Sequence, residues 1–363
     1  MVSLMDKELI IRTITMVLTT FLFVSILIPF IKRIALHIGA VDMPNKRKIH
    51  QKEMPRLGGL GIYLGYLLGY ILFGQPSSLM NSILIGSFII VLTGVIDDIK
   101  PLKASTKFSG QLIAVLIVVF YGNILLKNIN AFGIYLDLDV LAYPITIFFM
   151  LGCINCMNLI DGLDGLAGGI SAIYFLTIGI IATIQGKHGL DYILTFIMFG
   201  STLGFLVHNF YPASIFMGDS GSMFLGYIIS IIALLGFKNV TMSSLIIPLL
   251  ILAIPILDTI FAIIRRLLKG KKISTPDNFH IHHQLLNRNF SHRTTVLIIY
   301  LINILFAIAS IVYVIKDRFL GYILYGILLF IVIVFVVKTD VIVDHNGKNG
   351  VKKSFKNYFN KKK

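Results

Sequence analysis

Long apolar runs separated by short polar segments fill almost the whole chain. A helix needs about 20 apolar residues to cross the hydrocarbon core of a bilayer, and eleven runs reach or nearly reach that length. The pattern therefore predicts an all-α protein, a polytopic integral membrane helical bundle with about 11 transmembrane helices. The approximate positions of the runs are 13–35, 57–74, 80–96, 108–124, 141–159, 165–184, 190–207, 220–237, 243–265, 295–314 and 319–338.

The composition agrees with a chain that lies mostly in a membrane. Hydrophobic residues make up 56% of the 363 residues and charged residues only 13%, whereas a soluble domain has about 25% charged residues. We therefore expect a single transmembrane domain at 1–342, followed by a basic cytoplasmic tail at 343–363. Lys32 and Arg33, rather than a cleavage site, follow the uninterrupted apolar stretch from about Thr13 to Phe30, so we expect this run to remain as the first span.

The net charge of +15 is explained by membrane topology rather than by nucleic acid. Lysine and arginine are enriched in cytoplasmic loops. With the N-terminus outside and the C-terminus inside, the inner loops and the tail hold 25 of the 32 lysines and arginines. We therefore predict an N-out/C-in topology and no nucleic-acid partner.

Several aspartates lie beside the cytoplasmic ends of predicted spans, where carboxylates are expensive and usually mark function. Asp97 and Asp98 end the third run, and Lys103 and Lys107 follow them. Paired carboxylates bind Mg²⁺ or hold a proton, and lysines bind phosphate as point charges. Ordinary loop charges would explain the lysines but not two adjacent aspartates, so we favour a functional role.

A second polar motif ends the fifth run. Asn158, Asp161 and Asp164 are spaced three residues apart, which on a helix would place them along one stripe. Asp219, just before the eighth run, lies in Gly-Asp-Ser-Gly-Ser. This pattern is typical of a helix N-cap, but beside the other aspartates we favour a metal ligand. The predicted topology puts all of these residues on the cytoplasmic side, so they are expected to form one site.

Histidines form a third group, in the long loop at 266–294. Zinc sites usually include cysteine or widely spaced histidines. For His280, His282 and His283 we therefore favour contact with phosphate over a zinc site. Asp258, inside the ninth run and seven residues before Arg265, is expected to be a buried partner for a basic residue or a residue that supports the site without direct contact with substrate.

The second run and the loop before it carry two further signals. Gly61, Gly65 and Gly69 recur every fourth residue, which predicts a helix face that packs closely against a neighbour. In the preceding loop, Lys52 and Arg56 are candidates for contact with an anionic substrate, which the residues alone leave open.

Together and in this order, the motifs resemble those of the polyprenyl-phosphate N-acetylhexosamine-1-phosphate transferases, of the glycosyltransferase 4 type. The likeness covers nearly the whole chain, by motif in the first three quarters and by topology in the last spans. The matching segments are 48–50, 55–59, 94–98, 155–169, 217–222 and 280–286.

The resemblance implies a reaction. An oxygen of polyprenyl (undecaprenyl) phosphate attacks the β-phosphorus of a UDP-N-acetylhexosamine, UMP leaves, and a polyprenyl-diphosphate-sugar forms to initiate cell-envelope polysaccharide. It also implies Mg²⁺, with Mn²⁺ as a substitute, and a multi-pass enzyme of the plasma (inner) membrane with its active site on the cytoplasmic face. A homodimer is compatible with it. Both direct attack and an aspartyl-phosphate intermediate fit the residues, and we favour direct attack.

The resemblance further implies a role for each motif residue. The metal ligands are Asp219 and Asn158. The catalytic set, which includes carboxylates at the lipid phosphate and at the nucleotide, is Asp97, Asp98, Asp161 and Asp164. The substrate-binding set is Lys52, Arg56, Lys103, Lys107, Asn158, His280, His282 and His283.

Two alternatives compete with this interpretation. A phospho-MurNAc-pentapeptide transferase would carry a proline at the position of His280, so a simple N-acetylhexosamine donor such as UDP-GlcNAc is favoured. A membrane transporter would place its polar residues near the midplane, whereas here only Asp258 lies well inside a run.

Overall fold

The computed structural model describes residues 4–43, 53–131, 134–186, 188–238, 246–268, 270, 279–316 and 318–337. These residues form thirteen α-helices joined by short loops, and α4 continues as a π-helical turn at Ile117–Tyr121. The helices are α1 (Leu4–Ile38), α2 (Gly58–Phe73), α3 (Ser78–Ile99), α4 (Ala104–Leu116), α5 (Ala142–Ile160), α6 (Leu166–Ile184), α7 (Leu190–Asn209), α8 (Gly218–Lys238), α9 (Ile246–Ile251), α10 (Ala253–Leu268), α11 (Ile281–Asn287), α12 (His292–Ile315) and α13 (Arg318–Val337).

The predicted fold class, a polytopic helical membrane protein, is confirmed. Within the described ranges, nine helices are long and apolar enough to cross a membrane, namely α1, α3 to α8, α12 and α13. The second run forms a shorter apolar helix, α2. The total of eleven spans and the N-out/C-in orientation stay predictions.

The ninth run does not form the single continuous helix that its hydrophobicity predicts. Helix α9 ends at Ile251 and α10 begins at Ala253. The break has a local cause, because Pro255 has no amide hydrogen to donate to the carbonyl of Ile251, four residues earlier. Hydrophobicity alone does not register a missing donor, so the prediction of one helix was wrong here.

The described residues fall into two compact units, Met1–Pro248 and Leu249–Lys363, and each is described by itself. In the first unit, α8 packs against α2, α3 and α5, while α1 and α6 pack against α7. Helix α8 is central, since 94% of its apolar window is buried, compared with 28% for α1. In the second unit, α12 packs against α10, α11 and α13. The predicted division into a domain at 1–342 and a tail at 343–363 stays a prediction, and the tail lies outside the described residues.

The glycine face of α2 packs as its spacing predicts. A methyl group at Gly61 would lie 2.5 Å from Ile28 of α1, and one at Gly69 would lie 2.6 Å from Ile197 of α7. A methyl group at Gly65, between them, would collide with Val24 of α1. The absence of side chains on this face therefore lets α2 lie directly against both neighbours.

Two antiparallel strand pairs interrupt the helices. Strand β1 (Val41–Asp42) pairs with β2 (Met54–Pro55), and β3 (Asn128–Ala131) pairs with β4 (Ile134–Asp137). The residues after β2 also pair with the loop before α8, because Gly59 N donates to Met217 O at 2.8 Å and Phe216 N donates to Pro55 O at 2.8 Å. These backbone bonds fix the start of α2 beside the start of α8.

This contact between α2 and α8 generates a test of the packing. A methyl group at Gly59 would collide with backbone atoms of Gly221, which cannot rotate away. We expect Gly59→Ala to lower the free energy of unfolding by about 1–3 kcal/mol, the usual cost of overpacking. Thermal unfolding in one detergent would measure it. Gly152→Ala is the matched control, because nothing lies within 4 Å of a methyl group there. Equal stability of the two variants would contradict the described packing.

Candidate active site

The carboxylate of Asp98 caps the start of α8 from the last turn of α3. Its Oδ1 accepts a hydrogen bond from Asp219 N at 2.9 Å. Its Oδ2 accepts from Ser220 N at 3.1 Å and from Ser220 Oγ at 2.8 Å. The first amides of a helix lack partners within the helix, and a negative charge there is favourable. Asp98 is only 4% exposed, and both of its oxygens already accept hydrogen bonds from α8.

Gly218 makes this capping geometry sterically possible. It begins α8 with φ +74°, a conformation that side chains rarely adopt. A methyl group there would collide with the carbonyl of Arg56 and with the carboxylate of Asp98. Glycine at this position therefore allows α3, α8 and the segment before α2 to meet.

Asp97, adjacent in sequence, has different partners. Its Oδ1 accepts from Leu102 N at 2.8 Å, and its Oδ2 lies 3.3 Å from Lys107 Nζ. The same ammonium contacts Asp219 Oδ2. The end of α3 and the starts of α4 and α8 therefore place two carboxylates around one cationic side chain.

Arg56 brings a second cation to the group. Its Nη2 lies 3.5 Å from Asp219 Oδ1 and 3.6 Å from Asp98 Oδ1. Its Nη1 lies 3.5 Å from Asp42 Oδ1. Burial lowers the pKa of Arg56, but the surrounding carboxylates outweigh burial and hold its pKa above the ordinary value. Asp42 was not among the candidate site residues predicted from the sequence.

The predicted stripe of Asn158, Asp161 and Asp164 along one helix is wrong. Helix α5 ends at Ile160, so only Asn158 is helical. Asp161 and Asp164 lie in the turn before α6, which Gly165 closes at φ +78°. Asp164 Oδ2 accepts from Ala213 N at 3.0 Å and so ties this turn to the loop before α8.

Asn158 and Asp161 border the carboxylate group from the side of α5. Asn158 Nδ2 donates to Ser222 Oγ at 2.9 Å, and Ser222 lies about one helical turn beyond Asp219. This bond uses the amide nitrogen of Asn158 and does not involve its amide oxygen. Burial and the charge of Asp219 raise the pKa of Asp161 to about 8, against the opposing effect of Arg56. A cation placed nearby would favour the ionised form of Asp161.

The donor set is compatible with Mg²⁺. Carboxylate and amide oxygens are the ligands that this ion prefers, and it usually takes one or two carboxylates together with substrate phosphates. Asp219, with Asn158 on the neighbouring helix, fits that pattern. Within the described ranges, no three acidic, histidine or cysteine side chains form a group that could hold a metal ion.

The remaining predicted residues lie apart from this carboxylate group. Lys103 precedes α4 and is exposed, and Lys52 lies outside the described residues. The histidines belong to the second unit, at the start of α11. There His280 pairs with Asp258, so the prediction that Asp258 is a buried partner of a basic residue is confirmed.

The fold and the site define an integral membrane protein with a buried group of acidic and basic side chains at its helix ends. A family model described as glycosyl transferase family 4 matches residues 80–237, which contain every carboxylate of this group except Asp42. The chain belongs to glycosyl transferase family 4, and the resemblance drawn from its motifs is confirmed.

Curated relatives support this membership over most of the chain. A probable undecaprenyl-phosphate N-acetylglucosaminyl 1-phosphate transferase of Bacillus subtilis (strain 168) is 43% identical over 350 residues, covering 94% of each chain. A decaprenyl-phosphate N-acetylglucosaminephosphotransferase of Mycolicibacterium smegmatis is 31% identical and covers 75% of each. An undecaprenyl-phosphate alpha-N-acetylglucosaminyl 1-phosphate transferase of Escherichia coli (strain K12) is 30% identical, covering 78% of this chain and 79% of the relative.

The cap on α8 gives a second prediction. Asp98→Ala leaves several buried donors at the start of α8 without an acceptor, which should lower the free energy of unfolding by at least about 1–3 kcal/mol. Ser220→Ala removes a single hydroxyl donor and should cost less. Thermal unfolding of both variants beside the parent would rank them. An Asp98→Ala protein as stable as the parent would contradict the capping role.

Proposed function

We propose that this enzyme transfers N-acetylglucosamine-1-phosphate from UDP-GlcNAc to undecaprenyl phosphate and releases UMP. The names of the relatives support the donor and the lipid acceptor. The observation that carries the proposal is the convergence of Asp97, Asp219, Arg56 and Lys107 at the ends of packed helices. Such a group can exchange its internal ion pairs for contacts with substrate phosphates and a metal ion.

The charges of the group suit phosphoryl transfer. This chemistry depends on positioning and on neutralisation of charge more than on covalent participation by the protein. Without substrate, Lys107 and Arg56 are held by carboxylates. With substrate, both cations would bind phosphate oxygens, for which lysine acts as a point charge and arginine as a planar fork.

We further propose that Asp219 and Asn158 hold Mg²⁺, and that Mn²⁺ substitutes for it. When bound, the ion would neutralise charge on the diphosphate as UMP departs. Asp219 is already oriented by the bonds that Asp98 makes to the first amides of α8. Asn158 reaches the same helix through Ser222.

The aspartates divide into different proposed roles. Asp97, whose Oδ2 faces Lys107, acts at the lipid phosphate. A phosphate monoester with a second pKa near 6 is mostly ionised at neutral pH, so a general base adds little and direct attack is favoured. Asp161 and Asp164 line the nucleotide site, and Asp164 also anchors the turn that carries both. Asp98 positions Asp219 rather than touching the reacting atoms.

The remaining parts of the proposal rest on the family resemblance. Lys52, Lys103, His280, His282 and His283 bind substrate phosphates. The protein lies in the plasma (inner) membrane with its active site on the cytoplasmic face, where UDP-sugars are available, and a homodimer is compatible with this arrangement. Phospho-MurNAc-pentapeptide transfer is the second candidate, and the names of the relatives favour N-acetylglucosamine over it.

The reaction itself can be tested with purified protein in detergent. We expect radiolabelled sugar phosphate to pass from UDP-GlcNAc to undecaprenyl phosphate in the presence of Mg²⁺, with release of UMP and no product in EDTA. UDP-GalNAc and UDP-MurNAc-pentapeptide run in parallel would rank the donors. A lipid product formed only from UDP-MurNAc-pentapeptide would replace the proposal with the second candidate.

A substitution at Asp219 tests the proposed metal ligand. Asp219→Asn keeps the size of the side chain but removes its charge, so Mg²⁺-dependent turnover should fall by at least about 100-fold, the scale of a lost electrostatic contribution to the transition state. Asp137→Asn, at an exposed residue of strand β4, is the matched control and should leave turnover unchanged. Normal turnover by a folded Asp219→Asn protein would refute the metal assignment.

A further inference from the structure

A buried carboxylate and a buried histidine meet in the second unit. Asp258 of α10 is 1% exposed and His280, just before α11, is 5% exposed. Asp258 Oδ2 lies 2.7 Å from His280 Nδ1. Asp258 Oδ1 accepts from Ile281 N at 2.8 Å. One carboxylate therefore holds both the ring of His280 and the backbone that follows it.

We propose that Asp258 is a positioning residue for His280: it accepts from Nδ1–H and orients the ring so that a protonated Nε2 donates to a phosphate oxygen of the substrate. The inference rests on the proposed function, because it takes His280 to bind substrate. It adds a residue outside the histidine motif, carried by a different helix, whose effect on the reaction passes through His280.

The pairing fixes the tautomer and the orientation of the ring. An ionised carboxylate can only accept hydrogen bonds, so Nδ1 must carry the proton that joins the two groups. Rotation of the ring would leave a buried carboxylate oxygen unpaired, which is especially costly for a charged group. A ring held in this way turns only Nε2 toward an anion, and Nε2 donates to a phosphate oxygen when it carries a proton as well, in the imidazolium form that the carboxylate of Asp258 stabilises.

A second contact from α10 holds the same segment. The guanidinium of Arg265 lies over the ring of Phe279, 5.6 Å from its centroid. Arg265 follows Asp258 by seven residues, two helical turns, and so lies on a similar face of α10. Two side chains of one helix therefore fix two consecutive residues, Phe279 and His280.

His282 differs from His280 in the hydrogen-bond partners of its ring. It is 1% exposed, and neither of its ring nitrogens has a hydrogen-bond partner among the described residues. Burial lowers the pKa of His282 well below its ordinary value, and the neighbouring histidines lower it further. His282 therefore favours the neutral form, and the carboxylate contact distinguishes His280 from His282.

The direct test is Asp258→Asn, which preserves the shape of the side chain. The asparagine oxygen can still accept from Ile281 N, but its amide would donate to Nδ1, so the only proton of His280 would lie on Nε2. The ring could then no longer be doubly protonated, and its bond to phosphate would lose the positive charge that strengthens it. We expect kcat/KM for UDP-GlcNAc to fall about 10–100-fold, as for other partners that orient a histidine. Asp258→Glu keeps a carboxylate and should retain most of the activity. Thr259→Val, the next residue of α10, is the matched control.

A double-mutant cycle shows whether the effect passes through His280. In a His280→Gln background, Asp258→Asn should cause no further loss of kcat/KM, because the residue on which it acts is gone. Independent effects that multiply would overturn the inference. Thermal unfolding of each variant separates this result from loss of the fold.

A spectroscopic measurement tests the pairing without any turnover. In protein labelled with ¹⁵N-histidine, one ring should carry its proton on Nδ1, and its signal should be absent from His280→Gln. The proton should move to Nε2 in Asp258→Asn and stay on Nδ1 in Asp258→Glu and Thr259→Val. A signal unchanged in Asp258→Asn would overturn the inference. If transfer from UDP-GlcNAc fails but the signal moves, the proposed function is wrong and the pairing stands.

Discussion

The arrangement of the carboxylate group depends on one interaction, the capping of α8 by Asp98. Helix α8 is the most buried span of the first unit, and its first amides open beside other helices rather than in water. Unpaired amides in such a place would be costly. A carboxylate from α3 satisfies them and adds a favourable charge at the positive end of the helix. The start of α8 is thereby fixed, and with it the side chain of Asp219.

The other charges follow from this anchor. Backbone bonds between the segment after β2 and the loop before α8 carry Arg56 to Asp219, and the short connection from α3 to α4 carries Lys107 to the opposite side. Among the described residues, the group then holds five carboxylates but only two cations. The carboxylates are those of Asp42, Asp97, Asp98, Asp161 and Asp219, and the cations are Arg56 and Lys107. Burial and, after it, this excess of negative charge raise the pKa of Asp161. The same excess favours the binding of a further cation, which is the physical basis for proposing Mg²⁺ there.

Much of this could be predicted from the sequence. Apolar runs predicted the helices, the glycine spacing predicted the packing face of α2, and aspartates at helix ends predicted Asp97 and Asp219 as neighbours. The ends of helices were harder to predict. Helix α5 stops at Ile160, where the following glycines favour a turn, but the three-residue spacing of the polar side chains continues past that end and so suggested a longer helix. The partners of Asp97 and Asp98 were not predictable either. Adjacent residues on a helix point about 100° apart, so only the packing of α3 decides which one meets α8.

The same device recurs at α11, in the second unit. Asp258 accepts from the amide of Ile281 as Asp98 accepts from that of Asp219, and in each case a carboxylate on one helix fixes a segment that bears a candidate functional side chain. Loss of activity on replacing such an aspartate would not by itself identify it as catalytic, because the segment it holds would move as well. In this chain the informative contrast is between carboxylates whose oxygens are taken by backbone amides, such as Asp98, and those whose oxygens meet side chains, such as Asp219. The second kind can exchange its partners for a metal ion or a substrate without disturbing the fold.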